Sequence, residues 1–395
     1  MRIVVSHEWL VLFGGTETYA LTITEGLQRL GHEVCIYSPR AGAAAEFARE
    51  RGLRVETREG QLPDRCDAVL AQDAATAYAL ADRHPDAARV FVAHSAASAL
   101  QSPPQAAGAC DAVVVMNDRL ARRTEGLARR LPVVRLRQPI DLQRFCFQTL
   151  KLEQRRRPRV LLLSNYTKGT RVRMIEEACA TAGLEVRRVG VTSTPTRAPE
   201  HEIADAEIVL TLGRGALEAM ACGRAAYVFG DAGGDGWVTP ESYAALEADG
   251  FSGRALREAI GAERLASDLG EWREELGELG RDLACKHHGV EEHCLELVAL
   301  VESLGDERPR GPTKAAELAR LVRLEWSQCV DTRLAVAQTD AARTRVGELE
   351  AEVAAQRAAA EHAAAELERL LGSRRYRLGG LLARPLDALR GRRRS

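Results

Sequence analysis

Long apolar runs are missing. The hydrophobic stretches are short and broken by charged residues, whereas a bilayer-crossing helix needs about 20 mostly apolar residues in a row. An excess of one charge is missing too: 55 basic residues face 56 acidic ones, leaving a formal charge of −1. A globally basic nucleic-acid binder is therefore not expected. The nine cysteines lie far apart, with no Cys-x-x-Cys pair. This argues against a disulfide framework or zinc ribbon and for reduced thiols in a cytoplasm. No secretory leader is expected in Met1 to Gly15, because Arg2 opens a strand-like run that His7, Glu8 and Gly14-Gly15 interrupt. There is no Walker loop, and His94-Ser95 lacks the flanking glycines of a nucleophile elbow.

What is present is ordinary for a large soluble chain. At 395 residues, 46% hydrophobic and 28% charged, it has room for two or three domains and a core that needs no staples. Short β-branched runs at 2–6, 33–37, 67–70, 89–93, 111–115 and 133–136 alternate with helical stretches at 16–29, 41–51, 74–83 and 118–129. Continuous apolar strands between helices predict βαβ units and a parallel sheet covered on both faces. A polar segment at 151–158, ending in proline, reads as a linker. The pattern restarts with strands at 159–163, 184–189, 207–212 and 225–229 and helices at 171–182, 216–222 and 240–248. Helical patterns at 252–260, 262–284 and 290–304 follow. The economical reading is α/β: two tandem Rossmann-like doubly wound domains, 1–150 and 158–305, with a helical extension at 313–395.

The extension begins after a breaker-rich hinge at 306–312. Val346, Val353, Ala360 and Leu367 fall seven apart, and Leu349, Gln356, Ala363 and Leu370 occupy the second seam. That is an alanine-rich heptad pattern, read either as a coiled coil that makes a homo-oligomer or as a long helix packing on its own domain. Residues 373–395 hold eight arginines and one aspartate, interleaved with Tyr376 and leucines. Such a cationic amphipathic end suits an anionic membrane surface, the plainer alternative being a solvated tail.

Three loops carry candidate chemistry. Gly14 and Gly15 sit between the first strand and its helix, where free N–H groups and the positive dipole end favour an anionic oxygen. Many such turns hold glycine for steric reasons alone. In Leu212-Gly213-Arg214-Gly215-Ala216-Leu217-Glu218 a strand runs through glycines into a helix. A diphosphate could lie over Gly213 and Gly215 with help from Arg214, while Glu218, about one turn inside, accepts ribose hydroxyls. The structural alternatives are a solvated Arg214 and a dipole-compensating Glu218. The third loop, Gly230–Trp237, could wrap a sugar or base with Trp237 as a wall, or be a loop anchored by that tryptophan. Cys285, His287, His288, His293 and Cys294 have no tight metal spacing and read as helix-end residues.

Gly14-Gly15-Thr16-Glu17, Leu30-Gly31-His32-Glu33-Val34, Gln138-Pro139-Ile140-Asp141 with Phe145, and Leu217-Glu218-Ala219-Met220-Ala221-Cys222-Gly223 together resemble the GT-B retaining glycosyltransferases of family 4, over roughly residues 1–303. The resemblance implies a nucleotide-sugar donor gripped by the second domain across the interdomain cleft. It implies that Glu218 binds the ribose, that Gly14 and Gly15 approach donor phosphates or acceptor, and that His94 contacts the donor sugar. Catalysis would need no metal and no cofactor beyond the donor itself, with Lys168, and Arg171 in reserve, neutralising the leaving diphosphate. Two positions depart from the family: Leu210 stands where a second glutamate is usual, and the arginine slot in Ser164–Arg171 is vacant. The expected function is a cytoplasmic transferase, peripheral at the inner membrane face, acting on a glycan or lipid-linked acceptor with retention. A non-catalytic GT-B-like subunit and a nucleotide-sugar epimerase are the alternatives.

Overall fold

A computed structural model describes residues 1–95, 99–128, 131–147, 157–230, 233–256, 260–305 and 314–372. Met1–Trp326 form one compact unit and Ser327–Ser395 a second. The first unit holds two sheets.

In the first half the chain runs β1 (Arg2–Ser6), β2 (Trp9–Leu10), α1 (Gly15–Arg29), β3 (Glu33–Tyr37), β4 (Arg40–Ala41), α2 (Ala43–Glu50) and β5 (Val55–Glu56). It continues through β6 (Ala68–Ala71), α3 (Ala74–Arg83), β7 (Ala88–Ala93), β8 (Ala112–Val115), α4 (Asp118–Ala128) and β9 (Val133–Arg135). Seven of these strands pair in the order β5-β3-β1-β6-β7-β8-β9, all parallel. Strands β6, β7 and β8 are buried along their whole length, which is why they read as unbroken apolar runs. Helix α3 starts where it does because Asp73 accepts a 2.8 Å hydrogen bond from the Thr76 N–H. The two-residue pairing of β2 with β4 has too little periodicity to be seen in the sequence.

The second half runs β10 (Arg159–Leu163), α5 (Thr170–Thr181), β11 (Glu185–Val189), α6 (Pro199–Ala204), β12 (Ile208–Thr211), α7 (Arg214–Ala221) and β13 (Ala225–Gly230). Then come β14 (Gly233–Trp237), α8 (Pro240–Ala248), α9 (Ala262–Gly270), α10 (Glu275–His287) and α11 (Val290–Ser303). Its sheet has the order β11-β10-β12-β13-β14, with only β14 antiparallel. In each half the strand order reverses once, between β1 and β6 and between β10 and β12. Crevices at such switch points, outside the carboxyl ends of the strands, are where ligands bind in open parallel sheets.

Three expectations are corrected. Residues 252–256 make bends rather than a helix, with Phe251 and Gly253 at positive φ. The glycine-dense segment is no free loop: β14 pairs with β13. Trp237 packs edge-on against Tyr227 at 4.9 Å and donates to the Asp268 carbonyl at 3.2 Å, anchored in its own half. Asp231 and Ala232 lie outside the described residues. Third, the 262–284 pattern is split into α9 and α10 by a break at Glu271–Glu274.

Helix α11, read from the sequence with the second half, packs on the first. Val290, Cys294, Leu297 and Val301 join Ile23 and Leu27 of α1 in one core. The helices cross closely at Gly26, where a Cβ would lie 2.7 Å from Cys294 Sγ. The last helix, α12 (Ala315–Gly372), starts on the opposite face of the same sheet, with Ala315 and Ala319 buried. Arg323 bridges both carboxylate oxygens of Glu8 at 3.0 and 2.9 Å. Burial and Asp73 together push the Glu8 carboxyl up to about 7, against the pull of Arg323 and Arg40. No helix among the described residues is long and apolar enough to cross a membrane. The hinge at 306–312 and the basic end at 373–395 lie outside the described residues, as does most of the 151–158 linker.

Candidate active site

The carboxyl end of β12 turns sharply into α7. Gly213 takes φ +60, a backbone conformation L side chains rarely adopt, and its N–H donates to the Phe251 carbonyl at 2.7 Å. Gly215 is required for a different reason: a Cβ there would lie 2.2 Å from Thr211 Oγ1. Thr211 is buried and β-branched, so it cannot swing aside cheaply. Gly215→Ala is expected to cost about 1–3 kcal/mol, read by urea unfolding. A variant as stable as the parent would mean that the turn can relax.

Arg214 is not a solvated side chain. Its guanidinium donates to Glu218 at 2.9 Å, to the Pro139 carbonyl at 2.9 Å and to Thr22 Oγ1 at 3.0 Å. It thus ties α7 to α1 and to the segment after β9. Glu218 is buried with it. Burial pushes the Glu218 carboxyl up, while Arg214 and Arg144 pull it back. One carboxylate oxygen is engaged by Arg214; no bond to Oε2 is formed among the described residues. Leu210, eight positions earlier in β12, is fully buried in the hydrophobic core, so it offers no polar contact.

His94 follows β7 on the first half. Its Nε2 lies 2.7 Å from Gln72 Oε1, and Gln72 Nε2 donates to the Leu70 carbonyl. That second bond orients the amide, so Oε1 accepts and His94 Nε2 carries the proton. The other nitrogen, Nδ1, is then a lone pair. Desolvation pushes the ring down to about 3, so it is neutral across the working range of most enzymes. Tyr19 of α1 meets His94 edge-on at 5.1 Å, and the charge on Arg214 acts on the Tyr19 hydroxyl. Helix α1 therefore gathers His94 through Tyr19 and Arg214 through Thr22, two residues the sequence reading did not single out.

Gly14 and Gly15 open the same helix, roughly 10 Å along it from Thr22. The Glu17 carboxylate folds over Gly14, so close that a Cβ there would lie 2.5 Å from Oε2, and Thr16 donates to it at 2.8 Å. A first-turn acid already compensates this helix end, and any anion docking there must contend with it.

Lys168 comes from the loop after β10 and Arg171 from the first turn of α5, which the topology sets beside the Gly213 turn at the switch point. Ser164 Oγ bonds Thr167 Oγ1 at 2.8 Å and accepts from the Thr167 N–H at 3.1 Å, pinning the turn. Lys168 is exposed. Arg171 leans over the Phe229 ring at 5.1 Å.

A second set of residues, also unforeseen, joins the halves. Arg119 of α4 pairs with Asp249 at 3.1 Å. Arg135 of β9 pairs with Glu247 at 2.5 Å and with Asp118. Glu247 and Asp249 lie at the end of α8 beside Phe251, which holds Gly213. The Arg119–Asp249 and Arg135–Glu247 pairs link residues over a hundred positions apart, beyond any local pattern. The histidines of the α10–α11 junction serve the same joint: His288 bonds Tyr243 Oη and the Gln138 carbonyl, and His293 bonds Tyr19 Oη and the Arg137 carbonyl. Among the described residues no group of three acids, histidines or cysteines could hold a metal ion.

Residues 13–116 match the sequence profile of Glycosyltransferase Family 4. Among solved structures, the chain is similar to HepE of Anabaena in complex with UDP and glucose, at 13% identity and TM-score 0.54 over 77% of this chain and 100% of that one. The same protein with UDP-glucose matches at 12% identity and TM-score 0.54, with the same coverage. No curated protein matches. This chain carries the two-sheet GT-B fold of glycosyltransferases, and its residues 13–116 are similar to the family 4 profile.

Proposed function

We propose that the protein transfers a sugar from a nucleotide-sugar donor to a glycan or lipid-linked acceptor, with retention of configuration. The observation that carries this reading is the meeting at α1: the helix opened by Gly213 faces the first half, Arg214, paired with Glu218, reaches Thr22, and His94 meets Tyr19. The UDP and UDP-glucose bound by the HepE structures suggest the class of donor. In this reading the Gly215 N–H at the open end of α7 takes the diphosphate, the Gly213 N–H being held by the Phe251 carbonyl, and Glu218 Oε2 takes a ribose hydroxyl. Lys168 and Arg171 offset the charge on the leaving group, without a metal or further cofactor. His94 Nδ1 accepts from a sugar hydroxyl, and Gly14 and Gly15 border the acceptor side. Peripheral attachment at the inner membrane face through residues 373–395 belongs to the same proposal.

The test is a panel of nucleotide sugars, with release of nucleoside diphosphate followed with and without acceptor glycans. A donor that binds and turns over supports the reading; no binding of any nucleoside diphosphate sinks it. Glu218→Gln keeps a carbonyl for Arg214 but removes its counter-charge; it is expected to weaken nucleotide binding about tenfold or more and also to lower stability, so binding is compared on protein shown to be folded. Titration calorimetry reads this, and unaltered affinity removes Glu218 from the site.

A non-catalytic subunit is the second reading. It is favoured by Arg214 and Glu218 engaging each other and by the apolar burial of Leu210. Donor binding without turnover under any acceptor separates it from the transferase.

A further inference from the structure

We propose that α12 pairs with α12 of a second copy of this chain, parallel and in register. The second unit is a continuous helix up to Gly372 that leaves large apolar side chains in solvent. Val346 is 54% exposed, Leu349 43%, Val353 47% and Leu367 58%. These positions alternate three and four apart, as do Gln356, Ala360 and Ala363 between them. On a helix of 3.6 residues per turn that spacing keeps them on one stripe. A stripe this narrow fits the seam between two helices rather than a broad core-facing surface. The alanine layers at Ala360 and Ala363 let two backbones approach closely, and the Val346–Val353 layers give the apolar contact.

The occupant follows from the charges that border the stripe. Arg345, Glu352 and Glu366 lie along one flank, Glu350 and Arg357 along the other. In a parallel, in-register pair each flank residue faces the opposite flank five residues on. Arg345 then meets Glu350 of the second copy, and Glu352 meets Arg357, on both sides of the seam. Every charged contact made by these four residues is attractive. The antiparallel pairing of greatest overlap does the reverse: Arg357 meets its own twin, and Glu352 meets Glu366. The one polar residue inside the stripe points the same way. In parallel register Gln356 faces Gln356, and two amides satisfy each other. In the antiparallel pair it faces Ala360, with its donors and acceptor unmet. Charge and polar matching thus select a second copy of this chain in one orientation, through negative as well as positive terms. Two chains running side by side bring two copies of the arginine-rich sequence after Gly372 in at one end.

The experiment uses the full chain and reads mass, so its outcome is independent of the donor assay. Sedimentation velocity over a concentration series is expected to show monomer giving way to dimer. Arg345→Glu, on an exposed flank, is expected to weaken association roughly tenfold, and Arg345→Glu with Glu350→Arg to restore it. Leu349→Glu is expected to abolish it. Oxidised Val353→Cys is expected to yield dimers in which the tryptic peptide 346–357 is joined to itself. A monomer at every concentration overturns the proposal, as does a dimer indifferent to Leu349→Glu. Cross-linking of Val353→Cys to Ala363→Cys in a mixture, and not to itself, overturns the parallel arrangement.

Discussion

Arg214→Ala is expected to lower the unfolding free energy by about 3–5 kcal/mol, measured by urea denaturation of the full chain. The guanidinium is buried and has three partners on three segments: Glu218, the Pro139 carbonyl and Thr22. Removing it strands a carboxylate out of contact with water, and the penalty for an unpaired buried charge exceeds the worth of the pair itself. The deficit is expected to be larger near pH 8 than near pH 5. Burial already pushes the Glu218 carboxyl up, and without Arg214 that acid escapes part of the penalty by taking a proton where protons are plentiful. Arg214→Met combined with Glu218→Leu is expected to recover most of the loss, because hydrophobic residues of similar volume often replace a buried pair at little cost. If the single variant unfolds like the parent, the pair is hydrated in solution. Arg214 then becomes free to meet a diphosphate, and its role reverts to the one the sequence alone suggests.

That reversal shows what a sequence can carry. The strands were legible because parallel strands covered on both faces are unbroken apolar runs, as in β6 to β8 and β12. The turn at Gly213–Gly215 was legible because only glycine fits a positive φ and a close approach to Thr211. Side-chain destinations were not. Arg214 and Glu218 stand four apart on one helix, a local pattern, but Thr22 and Pro139 reach Arg214 through tertiary structure that no periodicity encodes. The same holds for Arg119 with Asp249 and Arg135 with Glu247. The 252–256 stretch misled because its spacing is helical, while Gly250, Phe251 and Gly253 all sit at positive φ. Trp237 misled because glycines around an aromatic describe a binding loop and a tightly paired edge strand equally well.

His293 and His288 set the second large effect. His293 Nδ1 faces the Arg137 carbonyl at 2.9 Å. A carbonyl only accepts, so Nδ1 carries the proton and Nε2 accepts from Tyr19 Oη at 2.8 Å. His288 repeats the arrangement with the Gln138 carbonyl and Tyr243 Oη. Both rings are held neutral, and burial pushes each down to about 4 from an ordinary 6.5. A second proton would turn each tyrosine hydroxyl away and place a charge where no acid offsets it. Between pH 6.5 and 4 the unfolded chain therefore binds more protons at these positions than the folded one, and stability falls as pH falls. Glu8, raised to about 7, acts in the opposite sense, so the net curve of the parent is a poor readout. The comparison with His293→Gln isolates the histidine: its amide can still donate to Arg137 and accept from Tyr19, yet it does not titrate. The parent is expected to lose on the order of 3 kcal/mol relative to this variant as pH drops from 6.5 to 4, with a constant difference above neutrality. Parallel urea titrations across that range measure it. A difference that stays flat down to pH 4 means that His293 titrates as it does in the unfolded chain, and that the joint between α11 and α1 admits water.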